Sequence, residues 1–394
     1  MTAPVFNLND TRFQSDRYGY LEELRGAHPW GRTTDGGVAF FNQDDVIEVF
    51  KCERFRFTFK HIDESRSPYL AKAIRHELLN MHGDQHFRLS RLVKQALRDR
   101  IIEGMAAAID GIVGDLIGEA PDGEAFEFCD FADALPARVL GPMFGVPYTE
   151  VDGLNEWIQI GGRKLDALQS GVGIDKVEDA NRKIHDYLRG LLAERRGAPG
   201  DDLFSELMRA EIDGDRMTED ELVYLASELA SAGVDTTRTQ LPLILLALLE
   251  HPAEMAKLRA EPKLALRAVD EGMRFAPLPW LIPHAATADF TYKDVSFKTG
   301  DIAYAVVPAA NRDPAAVERP NEFDITRDRV RNFAFGHGMH ACPGAQLARM
   351  EMSAALRKLV ERTDEIALAG EAEWHEGQVG RALKSLPVKV AKGE

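Results

Sequence analysis

Apolar positions recur every three to four residues along most of this chain, the spacing that aligns one face of an α-helix. The pattern predicts helices over roughly 17–27, 43–50, 84–98, 99–118, 130–142, 148–170, 175–196, 203–211, 218–250, 253–260, 263–275 and 343–362. Alternation with a period of two, the mark of a half-buried strand, is confined to short runs near 36–41, 290–292, 295–297 and 302–307. These runs fall in two separate patches. No Gly/Ser-rich linker interrupts the chain and no internal repeat is visible. The expectation is a mainly α fold with a small β region, in a single domain over 1–394, and not an array of βαβ units.

One helix is delimited clearly. Thr218 followed by Glu221 fits a capping box, in which side chain and backbone satisfy each other's orphan donors. The apolar pattern then continues to Glu250, where His251-Pro252 stops it after about nine turns. Its middle is disturbed. Ala232-Gly233 thins one face, Thr236 and Thr237 bring hydroxyls that can bond back to the preceding turn, and Pro242 removes a backbone donor and predicts a kink.

Composition narrows the function. With 394 residues, 45% of them apolar, the chain can bury a core large enough to enclose a bulky cofactor. The formal net charge of −16 argues against nucleic acid and against an anionic membrane surface as partners. The three cysteines, Cys52, Cys129 and Cys342, are odd in number and form no CxxC, so a reducing compartment is expected over a disulfide framework. The first ten residues have no secretory character, and the longest apolar run, 241–249, is too short for a membrane span. A cytoplasmic protein without a membrane anchor is expected.

The chemistry concentrates in Phe335-Gly336-His337-Gly338-Met339-His340-Ala341-Cys342-Pro343-Gly344. Three glycines in ten residues allow a tight turn and close backbone approach to something flat. Pro343 is read as the first helical residue, which makes Cys342 the N-cap. A thiolate there would sit at the positive end of a helix dipole, which lowers its pKa. A lone cysteine is more often a small buried hydrophobe, but this one lies off any apolar periodic face. A cysteine nucleophile with His337 or His340 as base is the competing functional reading.

The decapeptide resembles the cysteine-ligand loop of the bacterial cytochrome P450 family, Phe-Gly-x-Gly-x-His-x-Cys-x-Gly. The resemblance implies the cytochrome P450 fold, with haem b between the long central helix and the cysteine loop with the helix after it. It implies Cys342 as the axial thiolate, Phe335 packed near the sulfur, and electron donation that favours O–O cleavage. Ala232-Gly233-Val234-Asp235-Thr236-Thr237 is similar to the family's oxygen groove. There Ala232 and Gly233 leave room for dioxygen, Thr236 holds a proton-donating water and Asp235 relays protons. Glu271-Gly272-Met273-Arg274 fits the family's Glu-x-x-Arg, a buried structural pair tied to the meander at Ala310–Pro314 and Phe323–Arg327. Two departures are visible. His86 is followed four residues later by Ser90 where the family usually has Arg, and His284 stands where another Arg is usual. The expectation is that His86, His284 and His340 bind the haem propionates together, with retention weakening at higher pH; Arg88 or Arg91 are the candidate substitutes.

The resemblance further implies a haem-thiolate monooxygenase that inserts one oxygen atom of O2 into a small hydrophobic substrate, such as a terpenoid, aromatic or alkyl compound. Leu229, Trp280, Leu281 and Ile282 are expected to line the substrate pocket, with 57–79 as its lid. The chain has no GxGxxG and no cysteine cluster, so electrons are expected from a separate ferredoxin-type donor with its own NAD(P)H reductase. Arg88, Arg91, Lys94 and Arg349 are the candidate dock. Alternatives are a peroxide-driven peroxygenase, which the Asp235-Thr236 pair disfavours, and a haem sensor without oxygen chemistry.

Overall fold

Residues 3–58, 67–97, 99–162, 173–328, 331–375 and 382–393 are described by a computed structural model. The lid residues Lys60, Asp63, Glu64 and Arg66 lie outside them, as does the end of the predicted helix 148–170. The described chain forms two compact units, each built from segments distant in sequence.

The first unit takes 1–58, 242–342 and 370–386. Its centre is a six-stranded sheet in the order Val5–Phe6, Trp30–Thr33, Val38–Phe40, Ile302–Val306, Leu281–Ala286, Phe55–Phe57. Both strand patches of the sequence therefore enter one sheet: Val38–Phe40 runs parallel to Ile302–Val306, which pairs antiparallel with Leu281–Ala286. A hairpin of Phe290–Tyr292 and Val295–Phe297 adds Val295 and Phe297 to the core beside Phe40, Phe55 and Phe333. A second cluster gathers Phe6, Phe13, Tyr20, Phe41, Trp280 and Leu281. Helix Ala265–Phe275 packs against the end of the long helix through Gly272, where an added Cβ would lie 2.8 Å from Ile244.

The second unit takes 59–241, 343–369 and 387–394. It is mostly helical, including Gly83–Ala96, Asp99–Glu119, Phe128–Phe144, Ile174–Gly197, the greater part of Glu219–Glu250, and Ala345–Arg362. A three-stranded antiparallel sheet joins Thr363–Leu368, Pro387–Lys392 and Ala125–Glu127. Periodicity did not foresee this sheet, because Ala125–Glu127 is short and its partners lie 260 to 264 residues away. The capping box forms as expected: the Thr218 N–H donates to Glu221 Oε2 at 2.9 Å and the Glu221 N–H to Thr218 Oγ1 at 3.3 Å. The helix runs unbroken through Pro242 to Glu250. Among the described residues no helix is long and apolar enough to cross a membrane.

Candidate active site

In the first unit the cysteine loop is held mainly by backbone. Gly336 and Gly338 take φ of +65° and +73°, a region that costs any L-residue with a side chain. Gly338 also lies so close to helix Gln43–Lys51 that a Cβ would meet the Phe50 carbonyl oxygen at 2.7 Å. The Gly336 N–H donates to the Phe333 carbonyl and the Cys342 N–H to the Phe335 carbonyl, both at 2.9 Å. Phe333 is fully buried, and its ring stacks on Phe50. The loop is thus over-determined, while the Cys342 side chain at its end is exposed. One expectation is corrected: Cys342 is not the helix N-cap. Pro343 and Gly344 form a turn, Gly344 is the cap and the helix starts at Ala345, because Pro343 is used to turn the chain rather than to open the helix.

The same unit brings His284 and His340 near one ring. Strand register pairs His284 with Phe57, whose ring lies 6.0 Å from His284 and 6.4 Å from His340. His284 is buried, and its Nδ1 stands 3.3 Å from the Ile282 carbonyl. A proton on Nδ1 then leaves Nε2 as the nitrogen for any further partner. Phe335, the first residue of the cysteine loop, is half-buried.

Glu271 and Arg274 are buried to 6% and 1% exposure and pair through two hydrogen bonds of 2.7 and 2.8 Å. Arg274 also donates to the carbonyls of Asn311, Pro320 and Glu322. Glu271 accepts from the Asp324 N–H at 3.0 Å, with Arg327 Nε at 3.4 Å. The pair therefore ties its helix to the meander. Asn311 carries the tie onward, its Oδ1 accepting from the Phe333 N–H at 2.9 Å. Arg312, missed in the sequence, adds a guanidinium 3.6 Å from the Tyr18 ring and 4.0 Å from that of Phe275. Burial pulls its pKa down to about 10.

In the second unit the middle of the long helix is open on one side. Ala232 and Thr236 are exposed and Leu229 and Gly233 half-exposed, whereas Ala230, Val234 and Thr237 are buried. The spacing i, i+3, i+4, i+7 makes the open residues one face. A Cβ on Gly233 would meet nothing within 4 Å. Thr236 Oγ1 donates to the Ala232 carbonyl at 2.7 Å, the back-bond expected of it. The Thr237 hydroxyl, by contrast, is buried without a partner. Asp235 Oδ1 accepts from Arg238 Nε and Nη2 at 3.0 and 2.7 Å.

His86 is buried on helix Gly83–Ala96, and desolvation, with His82 and Lys94 adding to it, holds its pKa low. Ser90 turns its hydroxyl to the Phe87 carbonyl at 3.2 Å. Of the two proposed arginine substitutes, Arg88 is already engaged. Arg88 pairs with Asp215 at 2.7 Å and Glu221 at 2.8 Å, which raises its pKa, and Arg91 lies over Phe87. Trp280 is also reassigned. Its ring is fully buried against Phe13 and Tyr18, so aromatic packing at the chain start claims it for the core. Leu281 joins the same cluster, and Ile282 is only partly buried. Glu351, a further missed residue, is 3% exposed with Oε2 unpartnered, and burial pushes its carboxyl up to about 8. Its signal was legible: it occupies the buried stripe of its helix between Leu347 and Ala355.

The donor set of the first unit suits an iron porphyrin: one exposed soft sulfur on a rigid Gly-rich loop, with imidazoles in the same unit. The Cytochrome P450 family model matches residues 174–364. The chain is 34% identical to Cytochrome P450 monooxygenase PikC of Streptomyces venezuelae, over 100% of this chain and 96% of that one. It is 35% identical to the polyketide biosynthesis cytochrome P450 PksS of Bacillus subtilis (strain 168), over 78% and 76% of the two chains. A solved structure, CalO2, is similar with a TM-score of 0.90 and 27% identity, covering 99% of this chain and 100% of that one.

Proposed function

Because this chain belongs to the cytochrome P450 family, we infer that Cys342 is the thiolate ligand of a haem b in its monooxygenase chemistry. Membership makes the chain a P450 monooxygenase, an oxidoreductase, with the family's cytochrome P450 fold. The observation that carries the assignment is the exposed Cys342 side chain on a loop whose backbone is fixed by Gly336, Gly338 and Phe333. When bound, the haem supplies dioxygen activation and the transfer of one oxygen atom to substrate.

The chain's own residues then have distinct tasks. Cys342 would hold the iron from a fixed position and supply charge to it. His340, His284 and His86 are assigned to the propionates, with Arg88 spent on Asp215 and Glu221. Ala232 and Gly233 leave space on the open helix face. Thr236, whose O–H is spent on the Ala232 carbonyl, keeps its oxygen lone pairs to hold a water and its proton. Asp235, with a side chain 48% exposed, can exchange protons with solvent and pass them inward. Leu229 and Ile282 make the substrate contacts apolar, which suits a small hydrophobic molecule; Trp280 and Leu281 are left to the core. Electrons come from a separate ferredoxin-type protein and its NAD(P)H reductase. Arg91, Lys94 and Arg349 serve as its dock, Arg88 being neutralised by Asp215 and Glu221. The whole chain, 1–394, is taken as one catalytic domain in the cytoplasm.

The test is spectroscopic. The reduced protein under carbon monoxide is expected to show the red-shifted band of a thiolate ligand, and Cys342→Ala to lose both that band and oxygen transfer. A Cys342→Ala protein with an unchanged band and full oxidative activity overturns the assignment. Screening hydrophobic compounds for a shift in the ferric spectrum then identifies the substrate, and labelled O2 tests the source of the inserted atom.

A further inference from the structure

Arg238 is shared between two carboxylates on different helices. On the long helix it binds Asp235 Oδ1 through Nε and Nη2, and its Nη1 reaches Asp133 Oδ1 on helix Phe128–Phe144 at 3.4 Å. Arg238 is the most covered of the three, its side chain 24% exposed against 48% for Asp235 and 41% for Asp133. Asp130, one turn before Asp133, adds a third negative charge nearby. Among the described residues one guanidinium thus faces an excess of carboxylate. The pairing with Asp133 spans 105 residues and has no role in holding substrate or metal in the reading above.

We propose that Asp133 is a positioning residue for proton delivery, acting through Arg238 on the relay acid Asp235. The inference rests on the reading of Asp235 as that acid. The physical reason is competition. A guanidinium held by two carboxylates binds each less tightly than it would bind one. Asp133 draws part of the Arg238 charge away, which leaves Asp235 freer to take a proton from solvent, turn and release it. Asp133 also remains beside Arg238 when Asp235 lets go, so the half-buried cation is never left alone, a state that costs far more than the pairing gains. Burial raises the Asp133 pKa, with the Arg238 charge opposing and the Asp130 and Asp235 charges reinforcing that rise, consistent with a site that carries, among the described residues, more negative charge than Arg238 balances. Without the Asp133 charge, Arg238 closes on Asp235 alone and holds its side chain in place.

The experiment uses the holoenzyme with a plant-type ferredoxin and its NADPH reductase, following dioxygen consumption in H2O and D2O. For Asp133→Asn the maximal rate is expected to fall roughly three- to tenfold, short of the 10²–10⁴ typical for losing an acid catalyst itself. The KM for dioxygen should stay within about twofold and the solvent isotope effect should rise. Asp133→Glu, which keeps the charge, should restore both. Independently of turnover, a double-mutant cycle of Asp133→Asn and Arg238→Gln in urea unfolding should show the first substitution changing the unfolding constant about two- to fivefold only when Arg238 is present. A wild-type rate and isotope effect for Asp133→Asn, while Asp235→Asn loses them, overturns the inference alone. A wild-type rate and isotope effect for Asp235→Asn overturns the reading beneath it. An Asp133→Glu protein as slow as Asp133→Asn overturns the inference as well, by showing that shape and not charge matters.

Discussion

Arginine 274 and glutamate 271 offer the sharpest test of what holds the cysteine loop in place. The pair is almost wholly removed from water, so water cannot step in when one partner is lost. Arg274→Met strips Glu271 of its bidentate donor and leaves the carbonyls of Asn311 and Pro320 without that donor as well. Glu271 keeps the Asp324 N–H and Arg327, which softens the loss. Breaking a buried pair on one side costs about 3–5 kcal/mol. For a cooperative unit of 150–250 residues each kcal/mol moves the midpoint by about 2–4 °C, so a drop of order 10 °C is expected. Glu271→Gln should cost less, about 2–3 kcal/mol, because Arg274 retains three carbonyl acceptors. The assay is a thermal scan of each holoenzyme by far-UV circular dichroism, with the carbon monoxide band recorded on the same samples. Arg274→Met should also lose band amplitude, since Asn311 links the meander to Phe333 and the loop. Midpoints within about 1 °C of wild type for both variants, or Glu271→Gln melting below Arg274→Met, refute the reasoning.

Two other positions give independent checks. Gly338→Ala combines a positive φ with a Cβ 2.7 Å from the Phe50 carbonyl oxygen, so it should cost about 2–4 kcal/mol in urea unfolding and shrink the thiolate band at equal haem content. Glu351 has its pKa raised to about 8 by burial. A carboxyl raised in the folded state keeps its proton while the unfolded chain ionises, so its contribution to stability is full below about pH 4.5 and falls until about pH 8. Glu351→Gln should remove this slope: its urea midpoint should draw ahead of wild type as pH rises from about 5 to 8 and hold that lead above. A constant gap across that range counts against a buried, protonated Glu351.

The local geometry around the proposed site was legible in the sequence, and the reason is locality. The cysteine loop, Asp235-Thr236 and Glu271-Arg274 are contiguous or one helical turn apart, so spacing alone brings their atoms together. The capping box at Thr218 and the stop at His251-Pro252 bounded the long helix within a residue for the same reason. The error at Cys342 was local too: a proline before a helix can open it or turn into it, and the backbone chose the turn.

By itself, then, the sequence determined the helical framework, the turn geometry of the cysteine loop and the pairing of neighbours along a helix, because periodicity and turn chemistry act over a few residues. Only the tertiary structure decided which charges are shared and which are spent. It joined Ala125–Glu127 to Pro387–Lys392, gave Arg238 a second carboxylate from another helix, tied Arg88 to Asp215 and Glu221, and drew Trp280 into the aromatic core. Those outcomes depend on desolvation and on partners brought close by the packing of distant segments, and no local pattern in the chain encodes them.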